Sequence, residues 1–218
     1  MKRLYLIRHA EPELGGKSHV CLGGRSDVPL SPEGLAHAAA AAKCFPDTLD
    51  VKIYSSPMLR ARQTAAEISA GRWDVELLPG MEEIDCGEWD GLSFDEIRAV
   101  YPELYAQRGG DLSLTPPGGE SLESVARRGM AALESLKGES AENIIVMAHK
   151  GINRMLLSLM MGREVTDYGS LGQDYVAINC IRLDQGRFIV EAVNLDAAEF
   201  ETEKYLSGGC KALFKEVK

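Results

Sequence analysis

Two short apolar runs, Leu4-Tyr5-Leu6-Ile7 and Ile144-Ile145-Val146-Met147-Ala148, each end at a histidine-bearing corner, Arg8-His9 and His149 respectively. Runs this short and this apolar do not alternate between a dry and a wet face. They read as strands covered on both sides, which requires helices above and below one sheet. The intervening sequence supplies those helices. Ser31-Pro32-Glu33 offers an N-cap, a proline for the first turn and an early acid, and the Ala-rich stretch to Cys44 continues as a helix. Residues 51–54 form a second strand, and Ser55-Ser56-Pro57 is expected to cap a helix running to Ser69 and closed by Gly71.

Further along, residues 73–78 read as a strand, while residues 93–100 and 103–107 read as short helices. Residues 121–136 form an amphipathic helix, and a helix follows His149 to about Met161. Asp184-Gln185-Gly186 separates two strand-like runs and predicts a hairpin. Residues 81–91 and 109–119 lack periodicity and read as loops. The predicted class is α/β: a three-layer α/β/α sandwich with a mostly parallel central sheet and an antiparallel edge. No repeat or linker divides the 218 residues, so one domain is expected, ending in a weakly patterned segment from 196 to 218.

Charge narrows the function. With 24 basic against 33 acidic residues the formal net charge is −9, which argues against nucleic acid or an anionic membrane as partner. An anionic substrate would need a local cluster of cations hidden by that total. The five cysteines are scattered, without a CxxC pair, so neither a zinc ribbon nor a disulfide framework is suggested. No apolar run is long enough to span a bilayer, and the early Arg8-His9 does not fit a signal peptide. A cytoplasmic location is expected.

Such a cluster is available. Arg8 and His9 follow the first strand, Arg60 falls in the first turn after the second, and His149 follows the strand at 143–148. Ligands of open α/β sheets bind beyond the carboxyl ends of the strands, and helices starting there aim N–H groups at an anion. Arginines supply planar donor forks for a tetrahedral oxyanion, and histidines supply a nucleophile or a proton carrier. Taken singly, each has a blander reading: a histidine in a structural corner, an arginine on a solvated helix. His19 on a loop is expected at most to line an entrance. The histidines lack HExxH spacing and have cationic neighbours, so no metal is expected.

The residues also carry a resemblance. Leu4-Tyr5-Leu6-Ile7-Arg8-His9-Ala10-Glu11 resembles the opening strand and RHG signature of the histidine phosphatase superfamily, with its phosphoglycerate-mutase-like fold. Asp27-Val28-Pro29-Leu30-Ser31-Pro32-Glu33-Gly34 and Ser55-Ser56-Pro57-Met58-Leu59-Arg60-Ala61-Arg62-Gln63-Thr64-Ala65 resemble its first-helix and second-arginine segments. Met81-Glu82-Glu83-Ile84-Asp85-Cys86-Gly87-Glu88-Trp89-Asp90-Gly91 resembles its acid loop. Pro117-Gly118-Gly119-Glu120-Ser121 and Val146-Met147-Ala148-His149 complete the set in family order. The stretch from Cys21 to Leu30 is similar to that of α-ribazole-phosphate phosphatases.

The resemblance implies roles. His9 matches the nucleophile that becomes a phosphohistidine, and Arg8, Arg60 and His149 match the groups that neutralise the phosphoryl oxygens. Glu83, four residues before Gly87, matches the proton donor, with Glu82 as the competing assignment. No cofactor is implied. Three departures stand out. Ala10 replaces the usual glycine, which matters little unless the backbone there has positive φ. No asparagine follows Pro12, so a phosphate contact is either missing or supplied by Ser18 or Arg25. Lys150 replaces a glycine at a helix N-terminus, where a cation is electrostatically unfavourable. It either leans into the pocket to bind substrate anion or points to solvent.

Three functions follow, in order: hydrolysis of a small phosphomonoester, phosphoglycerate-mutase-type phosphoryl transfer, and a non-catalytic phospho-ligand-binding module. The segment from Gly91 to Glu120 is short and carries few cations, Arg98 and Arg108, which favours the phosphatase over a mutase.

Overall fold

The computed structural model describes residues 2–200. Six strands form one sheet: β1 (Lys2–Arg8), β2 (Val51–Ser55), β3 (Val75–Leu77), β4 (Asn143–Ala148), β5 (Ile178–Asp184) and β6 (Arg187–Leu195). Their spatial order is β3-β2-β4-β1-β5-β6. The first four are mutually parallel, whereas β5 runs antiparallel to β1 and pairs with β6 in an antiparallel hairpin. That is the mostly parallel sheet with an antiparallel edge that the pattern predicted.

The central strands show why three layers form. Leu4 and Leu6 of β1, with Ile144 and Val146 of β4, face one apolar cluster, while Tyr5, Ile7, Ile145 and Met147 face the other. Each such aliphatic side chain, fully removed from water, contributes about 1.5–3 kcal/mol, so neither face can be left wet. One face is covered by α1 (Pro32–Ala41) and α2 (Leu59–Ser69), whose Ala38, Ala41, Ala61, Ala65 and Ile68 are buried there. The other is covered by α5 (Leu122–Ser135) and α6 (Lys150–Met160) through Val125, Leu133, Ile152, Met155 and Leu156. Two short helices, α3 (Phe94–Val100) and α4 (Pro102–Gly110), lie between the acid loop and α5 in the chain.

Local signals were legible in most places. Ser31 caps α1 through Gly34 N–H at 3.0 Å. Ser93 and Glu96 form a reciprocal capping box at α3. The β5–β6 turn uses Gln185 and Gly186 at φ 48° and 75°, the paired positive values of a tight hairpin. The start of α2 departs from expectation. Its cap residue is Met58, which makes no side-chain cap; the Leu59 N–H instead donates to Asp27 Oδ1 at 2.5 Å. Ser56, expected to cap, accepts only the Met58 N–H, at 3.3 Å, and its hydroxyl also meets His149.

The chain end also departs in part. Phe200 is buried, with its ring 5.6 Å from Tyr5 and 5.4 Å from Phe45, so residues 196–200 return to the core. The remainder of the weakly patterned segment, 201–218, lies outside the described residues. Among the described residues no helix is long and apolar enough to cross a membrane.

Candidate active site

Strand register assembles the centre of the site. β1 and β4 are parallel with Arg8 opposite Ala148, so the residues that follow, His9 and His149, emerge side by side. His9 N–H donates to the Ala148 carbonyl at 2.9 Å, and the two imidazole centroids lie 5.1 Å apart. The parallel pairing of β2 with β4 brings in the third corner: Ser56 N–H donates to Met147 O at 2.8 Å. Ser56 Oγ then sits 2.8 Å from His149 Nε2. Thr64 of α2 accepts from Ala10 N–H at 3.0 Å and donates to Arg60 O at 2.7 Å, clamping α2 to the exit of β1. Ala10 is not in the left-handed region, so its methyl brings no backbone strain.

Both histidines are held neutral. Burial first, then the guanidinium groups of Arg60 and Arg8, keep His9 well below the ordinary histidine range. Burial, Arg60, His9 and Arg8 do the same for His149. His9 Nδ1 lies 2.7 Å from the Ala10 carbonyl, which can only accept, so that nitrogen carries the proton. Nε2 of His9 is therefore left with its lone pair. His149 has the complementary arrangement: Nε2 is engaged by Ser56, and Nδ1 is buried without a hydrogen-bond partner.

Two arginines flank the imidazoles. Arg8 donates to Gln173 O at 2.8 Å and stacks 4.0 Å over the Tyr175 ring. Arg60, with 0% exposure, is gripped by the carbonyls of Ser26 at 2.6 Å and Gly23 at 3.2 Å. The Nε of each is buried and unpartnered, like His149 Nδ1. Buried donors are ordinarily satisfied. Three unpartnered nitrogens beside one histidine, two of them guanidinium donors, make a set suited to an anion with several acceptor oxygens.

The acid loop meets this set from the α6 side. Glu83 is 7% exposed and lines a cavity of about 510 Å³ together with Arg8, His9 and Lys150. Its Oε2 accepts from Gly151 N–H at 2.8 Å, and its Oε1 accepts from Ile152 N–H at 3.0 Å and Ile84 N–H at 2.9 Å. The first N–H groups of α6, expected to face substrate, are thus occupied by Glu83. That carboxylate also compensates the Lys150 cation at the same helix start. Glu82 turns away from the cavity to Gly80 N–H and Arg128.

Arg128 of α5 pins the loop. Its guanidinium donates to the carbonyls of Gly80 at 2.8 Å, Glu82 at 2.7 Å and Glu83 at 3.1 Å, and pairs with Glu120 at 2.9 Å. Gly87 has φ 57°, and a Cβ there would stand 2.1 Å from Pro117 O, so only glycine lets the Pro-Gly-Gly-Glu segment dock against the acid loop.

The remaining expected ligands divide. Lys150 lines the cavity, with burial, Arg154 and Arg8 lowering its ammonium below the ordinary lysine range. Arg25 is exposed and outside the lining, its guanidinium engaged with Asp85 at 2.7 Å and the Gly118 carbonyl at 2.6 Å. Ser18 is exposed and also outside the lining, whereas His19 lines the cavity as an entrance residue would. Sequence reasoning missed Arg154, Ser56, Arg128 and Tyr175. Arg154 sits one turn after Lys150, and that i,i+4 spacing was the available signal. Tyr175 had none: it is set by Val176, a β-branched residue at φ 59°, whose strain of about 1–3 kcal/mol is held by the surrounding fold.

Residues 4–196 match the family model described as histidine phosphatase superfamily, branch 1. Phosphoserine phosphatase 1 of Hydrogenobacter thermophilus is 30% identical over 212 residues, 94% of this chain and 99% of that protein. The Bacillus stearothermophilus YhfR structure superposes with a TM-score of 0.82 at 26% identity, covering 92% of this chain and 100% of that one. The α-ribazole phosphatase of Shigella flexneri superposes with a TM-score of 0.78 at 22% identity, covering 88% and 96%, which bears on the fold alone. Several other relatives are longer proteins, of which the chain spans about half or less.

Proposed function

The chain belongs to branch 1 of the histidine phosphatase superfamily, and on that premise we propose that it hydrolyses a small phosphomonoester through a phosphohistidine on His9. The observation that carries this reading is the set of unpartnered buried nitrogens, Arg8 Nε, Arg60 Nε and His149 Nδ1, beside an imidazole with a free lone pair. A phosphoryl group presents that many acceptors. Two guanidinium groups and an imidazole N–H stabilise the charge on its equatorial oxygens, the larger part of catalysis in phosphoryl transfer.

His9 Nε2 attacks phosphorus in line with the ester oxygen, and the P–O bond breaks as the N–P bond forms. The bound phosphate sets negative charge beside the Glu83 carboxylate, which takes up a proton with the substrate and gives it to the leaving alkoxide. Water then attacks the phosphohistidine while Glu83 takes a proton back, restoring neutral His9 and releasing phosphate. The cations of the chain supply the charge stabilisation, so the reaction is expected to run without a metal. Lys150 and Arg154 extend the positive wall beyond the phosphoryl pocket and bind further negative charge on the substrate. The names of relatives support a small phosphorylated metabolite; phosphoserine is one member of that class.

Hydrolysis of an aryl phosphate in EDTA, with His9→Ala alongside, tests this. EDTA-resistant turnover by the wild type, lost in the variant, supports the phosphatase. No turnover on any of a panel of phosphorylated metabolites would leave only ligand binding. Interconversion of phosphoglycerates with a bisphosphate primer would indicate a mutase instead.

A further inference from the structure

Cys21 and Cys86 are far apart in the chain, yet both line the candidate active-site cavity as free thiols, and each is half-buried. The Cys21 carbonyl accepts from Gly91 N–H at 2.8 Å, and a Cβ at Gly23 would stand 3.0 Å from Cys86 Cβ, so the two thiols are carried on neighbouring backbone. Cys86 also reaches the Ile84 carbonyl, with Sγ at 3.7 Å. The segments that carry them are already docked: Gly24 N–H donates to Ile84 O at 2.9 Å, and Asp90 receives Gly23 N–H at 3.2 Å. These are also the segments that hold two of the groups argued above to do the chemistry. Gly23 and Ser26 grip Arg60, and Cys86 stands three residues after Glu83.

We propose that Cys21 and Cys86 form an oxidisable dithiol in the cavity wall, which a peroxide converts to a reversible disulfide that tethers the acid loop to the Arg60-gripping segment. Cys21 is the attacking sulfur. The neighbouring Cys86 and Arg108 hold its thiol below the ordinary cysteine range, whereas Cys21 and burial push Cys86 up. The Cys21 thiolate attacks one peroxide oxygen, the O–O bond breaks, and hydroxide leaves with the former thiol proton as water. Cys86 sulfur then attacks the Cys21 sulfenic sulfur, the S–O bond breaks, and a second water leaves with the Cys86 proton. Two thiols lose two electrons and one peroxide gains them. An external dithiol reverses the step.

Closing the bond brings the sulfurs to about 2.05 Å, and both docked segments follow. The phosphatase rate is then a readout of the thiol state, and only this readout rests on the proposed function.

The test is peroxide treatment of the full-length protein, followed by thiol blocking, non-reducing digestion and mass mapping, with the aryl phosphatase rate followed in parallel. A Cys21–Cys86 peptide pair is expected in the wild type and not in Cys21→Ser or Cys86→Ser. Cys21→Ala and Cys86→Ala serve where a serine variant does not fold. Cys44 and Cys180, buried in the core, are expected to remain unmodified. The rate is expected to fall several-fold on cross-linking and to return with dithiothreitol. Unreacted thiols, sulfonic acid on either cysteine without a cross-link, or pairing through Cys210 would overturn the dithiol. A cross-link that leaves the rate unchanged overturns its coupling to catalysis. Absence of phosphatase activity before any peroxide counts against the proposed function and leaves the mass-mapped dithiol standing.

Discussion

The Glu83 carboxylate caps the helix that follows His149, accepting from the Gly151 N–H at 2.8 Å and from the Ile152 N–H at 3.0 Å. One side chain thereby joins the acid loop to the β4–α6 corner, across 68 residues of sequence. It also explains why the position after Lys150 is a glycine. A Cβ at residue 151 would stand 2.6 Å from Glu83 Oε1, so the carboxylate would have to leave the position from which it caps the helix.

Gly151→Ala is therefore expected to dislodge Glu83 while leaving the helix intact. The prediction is a fall in kcat of about 10²-fold, of the size that misplacing a catalytic group by an ångström produces, with a near-native circular dichroism spectrum. Glu83→Gln, which keeps a cap but cannot move a proton, should lose at least as much. Equal kcat for Gly151→Ala and wild type would sink this account of Glu83.

Arg128 is a positioning residue, and its test separates position from fold. Removing it in Arg128→Ala strips the hydrogen bonds from three loop carbonyls, costing about 1–3 kcal/mol of stability and roughly tenfold or more in kcat. KM should barely move, because Arg128 donates to the loop and is not part of the cavity lining. Arg128→Lys is expected to recover only part, since an ammonium cannot span the three acceptors and Glu120 as a planar fork does.

Lys150 and Arg25 give opposite expectations despite equal charge. Lys150 lines the cavity, so Lys150→Ala should raise KM for the phosphorylated substrate about tenfold, the equivalent of about 1.4 kcal/mol. Arg154→Ala is expected to act in the same direction. Arg25 is committed to Asp85 and Gly118 outside the lining, so Arg25→Ala should leave KM unchanged. Steady-state kinetics on one substrate settles all three.

Stability should depend on pH through the two buried imidazoles. Burial, Arg60 and the neighbouring charges keep His9 and His149 neutral in the folded chain well below the ordinary histidine range. In the unfolded chain each takes up a proton as pH falls through about 6.5. The unfolded state then binds more protons, so stability is lost on acidification below that pH, by up to about 1.4 kcal/mol per pH unit for each histidine. Above it neither contributes a slope. Denaturant titrations from pH 7 to 5 should show this loss, reduced by about half in His149→Gln.

How much was legible follows from the physics of each element. The apolar runs of β1 and β4 revealed themselves because a strand buried on both faces tolerates no polar residue. The caps at Ser31 and Ser93 were visible because capping is local chemistry between residues three apart. The α2 cap was not: Asp27 reaches Leu59 N–H from another part of the chain, and no local pattern encodes that bond. Ser56 carried a cap-like signature and, besides accepting the Met58 N–H, serves as the partner of His149, because β2 and β4 are aligned in the sheet.

The sequence by itself determined the layers and the sheet's mixed character and singled out the candidate histidines, arginines and acid, since burial patterns and motif chemistry are properties of short segments. Only the tertiary structure decided which of them converge. It brought Arg8, His9, Arg60, Glu83 and His149 together, drew in Lys150, left Arg25 outside, and supplied Arg154, Arg128 and Tyr175. The reason is that strand register and loop docking are set by contacts between residues distant in sequence, and a side chain's direction depends on all of them at once.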